Sequence, residues 1–367
     1  SFDGNGYNIT GLTINSPTTN YVGLFGYTEG ATIENVVLED INVTGGTCTG
    51  GLVGQAYNSS TVTNSYATGS VTGTGNYTGG LVGWANVSTS IENSYATGAV
   101  TGTGNYTGGL VGWANVSTSI ENSYATGSVS GTGLYTGGLV GRASSLTITN
   151  SYATGEVSGR SYTGGLVGDT GTAAEITNSY ATGSVTGTGN YTGGLVGFAT
   201  NSTITNSYAT GSVTGTERTG GLVGFATNST KISNSYATGS VTGGYDIGGL
   251  VGYASSSTIT RSYVTGSVTG TGERTGGLVG GAYNSTIRNS YATGSVMGKD
   301  YTGGLVGFAS SLSVTNSYWD KETTDQIKSA GGRGLSTEEM KMKGTYEGWD
   351  FDKIWQINEG KSYPTLR

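Results

Sequence analysis

Apolar residues recur along this chain with a short and strict rhythm. Between Tyr191 and Gly215, Leu195, Val196, Ile204, Ala209 and Val213 stand among Gly, Ser, Thr and Asn. Short pieces with apolar residues at two-residue spacing, closed by Gly or Asn-Ser, predict strands and turns. No piece is long enough, or spaced suitably, for a helix. The arrangement then returns again and again. The pentad G-G-L-V-G begins at Gly50, Gly79, Gly108, Gly137, Gly164, Gly193, Gly220, Gly248, Gly276 and Gly303, after a degenerate copy, Val22-Gly23-Leu24-Phe25-Gly26. By subtraction the starts lie 27 to 29 residues apart, the signature of a repeat architecture. A second phrase travels with it, as in Asn206-Ser207-Tyr208-Ala209-Thr210-Gly211-Ser212-Val213-Thr214-Gly215.

A coil of this size predicts one rung of a right-handed parallel β-helix, each strand pairing with its equivalent one coil on. About eleven rungs stacked roughly 4.8 Å apart make a rod about 50 Å long. Ile33, Leu38 and Val43 align with Ile204, Ala209 and Val213 if one residue is inserted near Asp40. Positions that accept either a large aliphatic or Ala are expected inside, with Leu195; alternation puts Tyr208 and Thr210 outside. The glycine pairs are expected at corners that need positive φ or close backbone approach.

Three segments follow from this pattern: irregular opening coils over 1–49, the regular solenoid over 50–318, and a C-terminal cap over 319–367. In the last, charge rises and Trp349 and Trp355 enter. Ser336 and Glu339 form a capping box before a short helical turn, and Phe351, Ile354, Trp355, Ile357, Tyr363 and Leu366 are expected to cover the final rung. The opening at Ser1, already inside a strand-and-turn pattern, reads as a processed or partial chain.

Composition narrows the chemistry. There are 70 Gly and 2 Pro in 367 residues, no His, a single Cys at position 48, and a net charge of −7. Without His the commonest general base and transition-metal ligand are missing. One Cys permits no internal disulfide or thiolate cluster. No basic stripe exists to neutralise phosphates, so nucleic acid is not expected as a partner. No apolar run is long enough for a membrane span, and no cofactor is implied.

The G-G-L-V-G pentads and N-S-Y-A-T-G phrases resemble the GLUG-motif repeats of bacterial and archaeal surface proteins. The tail, including Ser317-Tyr318-Trp319-Asp320, Gly334-Leu335-Ser336-Thr337 and Gly348-Trp349-Asp350-Phe351, and the opening Phe2-Asp3-Gly4-Asn5-Gly6-Tyr7 are similar to the usual ends of such chains. The resemblance implies a secreted or cell-surface solenoid of adhesin-like, stalk-like or envelope character. It implies no catalytic residues.

Candidate sites are surface columns. One aromatic column holds Tyr66, Tyr95, Tyr124, Tyr152, Tyr180, Tyr208, Tyr236, Tyr263, Tyr291 and Tyr318. A second holds Tyr77, Tyr106, Tyr135, Tyr162, Tyr191 and Tyr301, with Arg218 and Arg274 substituting and Asp246 breaking it. A third follows each pentad: Tyr27, Trp84, Trp113, Phe198, Phe225, Tyr253 and Phe308. Such rings can dock sugars or a neighbouring solenoid, or simply stack between rungs. An Asn column, from Asn35 and Asn64 to Asn289 and Asn316 and interrupted by Arg261, predicts an amide ladder at a turn. N-glycosylation sequons stand at Asn8, Asn42, Asn58, Asn76, Asn86, Asn105, Asn115, Asn190, Asn201, Asn228 and Asn284. Carboxylates such as Glu156, Asp169, Glu175, Glu217, Asp246, Glu273 and Asp300 are expected at different coil positions, with no acid/base pair on one face. Asp320 to Asp325 is spaced loosely like a calcium loop but lacks its fixed Gly and final Glu.

These readings converge on a non-catalytic extracellular structural or adhesive solenoid. Its expected partners are copies of itself, head-to-tail or side by side, or surface glycans. A carbohydrate-binding or carbohydrate-active β-helix is the alternative. An ice-binding solenoid, on the Thr file that includes Thr68, Thr97, Thr126, Thr154, Thr182 and Thr210, is the other.

Overall fold

The computed structural model describes residues 1–367 and is a parallel β-solenoid of about eleven turns. Each regular coil runs through three parallel sheets. In the coil that begins at Gly79, the first sheet takes Val82–Asn86 and Ser90–Glu92, the second Tyr95–Ala96 and Val100–Gly102, and the third Tyr106–Gly108. Equivalent residues pair from coil to coil: Ile91 with Ile120, Tyr95 with Tyr124, Thr107 with Thr136. The third sheet is a ladder of ten such strands. The insertion expected near Asp40 is there, as a register shift between Ala67 and Gly69 against Leu38 and Ile41, with Asp40 at φ 54°.

The core is thin and columnar. Leu81, Val82, Ala85, Ile91 and Ala96 are buried, as are their equivalents coil after coil, in one cluster of 56 residues. A second file, Val157, Val185, Val213, Val241 and Val268, packs around Ile247. Three polar columns run inside beside these, and none is visible in the hydrophobic pattern. Ser60, Thr89, Thr118, Ser202, Thr230, Ser257 and Ser285 form one, their hydroxyls donating to carbonyls two or three residues earlier. Ser65, Ser94, Ser123, Ser151 and their successors are buried; each hydroxyl donates to the carbonyl two residues earlier and accepts the previous coil's Ser N–H. Thr78, Thr107, Thr136, Thr192, Thr219 and Thr275 form the third, buried with hydroxyls that meet no partner within bonding distance. The Thr column also accepts an aliphatic, since Ile247 takes the place between Thr219 and Thr275 and packs on the valine file.

The pentad glycines do not work by positive φ. None of Gly79, Gly80, Gly108 or Gly109 adopts it. They work by close approach. A Cβ on Gly109 would fall inside contact with the Gly138 carbonyl oxygen of the next coil and 2.9 Å from Ala125 Cβ. The left-handed corners fall instead on other residues, among them the Asn column, with φ of 46° to 55° at Asn35, Asn64, Asn93, Asn122, Asn150, Asn178, Asn206, Asn234, Asn289 and Asn316.

The C-terminal segment does more than cover the last rung. Its first part closes the end: Arg333–Leu335 adds one more parallel strand beyond Tyr318–Asp320, and Trp319 plugs the core beside Gly304. The remainder turns back along the flank. There Leu335, Met340, Tyr346, Trp349, Phe351 and Trp355 pack on Tyr263, Tyr291 and Tyr318, in a core separate from the solenoid's. The capping box forms as expected on the short helix Thr337–Met340. Asp320 holds the two parts together. One carboxylate oxygen accepts the Glu322 and Thr323 N–H groups, and the other accepts the Thr337 and Tyr363 hydroxyls at 2.7 Å each.

Gly109→Ala tests the close-approach reading. The obstruction is backbone, which cannot swing away as a side chain can, so the loss should reach or exceed the upper end of the 1–3 kcal/mol typical of overpacking. Thermal melting of purified variant and parent measures it; an unchanged melting temperature refutes it.

Candidate functional site

The repeat brings equivalent side chains into files along the rod, so any site here is a column or a break in one. In the first aromatic column the rings from Tyr66 to Tyr291 stack face to face. Their centroids lie 4.5 to 5.3 Å apart and their planes within 2° to 9° of parallel. Tyr66 to Tyr236 are half-buried. Tyr263, Tyr291 and Tyr318, expected at the surface, are buried at 7%, 1% and 6% exposure. The returning arm covers them, and the Tyr291 hydroxyl donates to the Pro364 carbonyl.

The second and third columns are one strip. Tyr77 stacks on Trp84 and Trp113 as well as on Tyr106, and Tyr191 meets both Phe198 and Phe225. The residues that break the aromatic pattern also belong to it. Arg142 stands over the Tyr135 ring, with its Nε 3.2 Å from the buried Asp169 carboxylate of the next coil. Asp246 sits between Arg274, at 3.1 Å, and Arg218, at 3.8 Å. Arg218 itself lies over Tyr191, Phe225 and Tyr253. Asp246 therefore joins the column rather than breaking it. Burial lifts the Asp169 and Asp246 carboxyls above the usual range, against the pull of their arginines. One signal in the sequence could have found the Arg142–Asp169 pair: opposite charges at the same offset from consecutive pentads. Tyr77, Tyr162, Tyr191, Arg218, Asp246, Arg274 and Tyr301 hold left-handed φ values of 47° to 65°. An L-residue there costs about 1–2 kcal/mol, which the stacking and ion pairing of this strip offset.

In the Asn column Nδ2 of Asn64, Asn150, Asn178, Asn206 and Asn234 donates to Oδ1 one coil back, for example Asn178 to Asn150 at 3.3 Å and Asn234 to Asn206 at 3.0 Å, whereas Asn93 donates to Glu92. Arg261 continues it, donating from Nε to Asn234. Among the sequon asparagines, Asn8, Asn42, Asn58, Asn190, Asn201, Asn228 and Asn284 are exposed. Asn76, Asn105 and Asn115 are half-buried. Asn86, expected on an accessible turn, is buried at 8% exposure, its side chain accepting from the Asn115 amide.

The carboxylates are not all dispersed. Glu217 pairs in register with Tyr245, Ile247 with Thr275 two residues beyond, and Glu273 with Asp300. Glu217, Tyr245, Glu273 and Asp300 thus occupy one coil position on the edge of the third sheet, all exposed. Each stands three residues before a pentad, so the shared offset could have been counted in the sequence. No group of three or more His, Cys, Asp or Glu side chains lies close enough to hold a metal ion, and the Asp320 oxygens are bonded to protein donors.

Parallel strands stacked in register, with side-chain ladders at each corner and a folded-back end, define a β-solenoid repeat protein. The GLUG motif matches it nine times in succession, at residues 45–72, 74–101, 103–130, 132–158, 159–186, 188–214, 215–242, 243–269 and 271–297. The chain belongs to the GLUG-motif family. No curated protein and no solved structure matches it significantly. No helix is long and apolar enough to cross a membrane.

Two predictions follow from the ladders. Burial in the stack pushes the Tyr95 hydroxyl up to about 12, against about 10 in an unfolded chain. Tyr263, Tyr291 and Tyr346 are raised by burial as well. A raised folded value means the stabilisation is complete below pH about 10 and is lost as pH rises toward about 12. Circular dichroism and tyrosinate absorbance followed together through that window should change as one; ionisation of the column with no loss of strand signal would contradict it. Asn178→Ala loses both the amide ladder and the residue type most tolerant of this corner. It should cost about 1–2 kcal/mol, with Asn178→Gly recovering part of that, by equilibrium denaturation.

Proposed function

We propose that this chain is a rigid, non-catalytic rod of an extracellular or cell-surface assembly, making lateral contacts with further solenoids along its aromatic strip. The observation that carries the reading is the strip itself. Half-exposed rings and paired charges run in register from Tyr77 and Trp84 to Arg274 and Phe308, over most of the rod. Ladder stacking already fixes these rings, so little side-chain freedom remains to be lost when a partner covers them. Charged residues are only 11% of the chain, so two rods meet with little repulsion. A stalk or envelope element gains from this construction, because every added rung extends the contact face without new chemistry. The absence of histidine from the sequence also favours a structural over a catalytic role.

The strip can be tested where it is richest in large rings. Sedimentation and electron microscopy of the purified chain should show laterally associated rods. The Trp84→Ser/Trp113→Ser double variant, with its strand signal checked by circular dichroism, should remain as single rods. Monodisperse rods from the parent chain at high concentration, or assembly undiminished in the double variant, would refute the proposal. Turnover of a glycan by the purified chain would replace it with a catalytic reading.

A further inference from the structure

One break in the regular surface lies outside the aromatic strip. The turn that enters the third sheet is one residue shorter at Gly215-Thr216-Glu217-Arg218 and at Gly243-Gly244-Tyr245-Asp246 than in the coils beginning at Gly187 and Gly270. Two recessed turns between two longer ones leave a notch of about 420 Å³, lined by Asn190, Thr216, Glu217, Thr242, Tyr245 and Thr271 around bare glycine backbone. Tyr245 is 54% exposed, and its ring lies over the bare backbone of Gly272. A Cβ on Gly272 would lie 2.9 and 3.0 Å from two of its ring carbons. The missing side chain at Gly272 makes room for the ring at the wall of the notch. The Asn190 amide and the Glu217 carboxylate make no hydrogen bond within the chain, while the Thr271 hydroxyl donates to the Gly243 carbonyl and keeps its lone pairs free.

We infer that this notch is a binding site for one neutral pyranose unit of a glycan, with the sugar's apolar face on Tyr245 and its hydroxyls met by Asn190, Glu217 and the threonines. A single exposed ring beside an amide, a carboxylate and hydroxyls is the donor and acceptor set that a polyhydroxylated, partly apolar ligand requires. Acidic sugars are excluded by charge, since Glu217, Glu273 and Asp300 line the same edge of a chain of net charge −7. Those carboxylates would favour an organic cation, but cation recognition improves with enclosure by several rings. This notch has one ring and four neutral hydrogen-bonding side chains. The site is independent of the lateral-contact strip, and either reading can fail without the other.

The test is titration calorimetry on the whole chain, produced without N-glycosylation because Asn190 lies in a sequon. The probes are methyl β-glucopyranoside, methyl α-mannopyranoside, methyl N-acetyl-β-glucosaminide and cellobiose, with galacturonate and tetramethylammonium as contrasts. At least one neutral sugar should bind saturably. Tyr245→Ala should weaken it about tenfold or more, Tyr245→Phe should retain it, and Asn190→Ala should weaken it without changing the melting temperature. The inference is overturned if no neutral sugar binds, if binding survives Tyr245→Ala, or if galacturonate or tetramethylammonium binds more tightly than every neutral probe.

Discussion

Everything in this molecule depends on the approach of one coil to the next at the spacing of a parallel β ladder, about 4.8 Å. At the pentad the backbones come so close that a methyl group has no room: Gly80 faces the Gly109 carbonyl oxygen and the Ala96 side chain, and Gly109 faces the equivalents one coil on. Once the glycines permit that contact, strict register follows, and register turns every side-chain position into a column. Leu and Ile columns make the core, Ser columns satisfy backbone N–H groups inside it, and Tyr and Asn columns make ladders outside.

The ladders convert weak local interactions into a long-range property. One stacked tyrosine pair contributes modestly, and one amide bond contributes on the order of 1 kcal/mol. Repeated through successive coils, they resist local fraying anywhere along the rod, because each coil is held by both neighbours. The price is a left-handed backbone at non-glycine residues in coil after coil. At the Asn corner the amide ladder offsets that cost. In the aromatic strip, stacking and the ion pairs Arg142–Asp169 and Arg218–Asp246–Arg274 do so.

Regularity also decides where binding can be local. A perfect solenoid presents the same surface at every level, so a discrete pocket needs a defect. The recessed turns at Thr216 and Gly244 supply one, and the arm that returns over Tyr263 and Tyr291 supplies the other departure from periodicity. That arm ends the exposed tyrosine ladder by burying its last members. Its Trp349 and Trp355 rings meet the column's edge, and Asp320 ties the arm to the final rung.

The repeat period, the strand character, the aliphatic columns, the insertion near Asp40 and the helix cap at Ser336 were all determined by sequence. Each depends on residues close in the chain or one period apart, and the period is visible by inspection. What only the tertiary structure decided lies across turns of unequal length or beyond the repeat. The second and third aromatic columns merge because the corner between them brings Tyr77 beside Trp84 and Trp113. Glu217, Tyr245, Glu273 and Asp300 each stand three residues before a pentad, but only the pairing shows that this shared offset is one exposed file at a sheet edge. The choice between the glycines' two expected roles was made for a similar reason: a need for positive φ and a need for empty space select the same residue, and only the position of the neighbouring coil tells them apart. Tyr291 looks like Tyr95 in sequence. Its burial is imposed by a segment that lies outside the repeat and folds back to meet it.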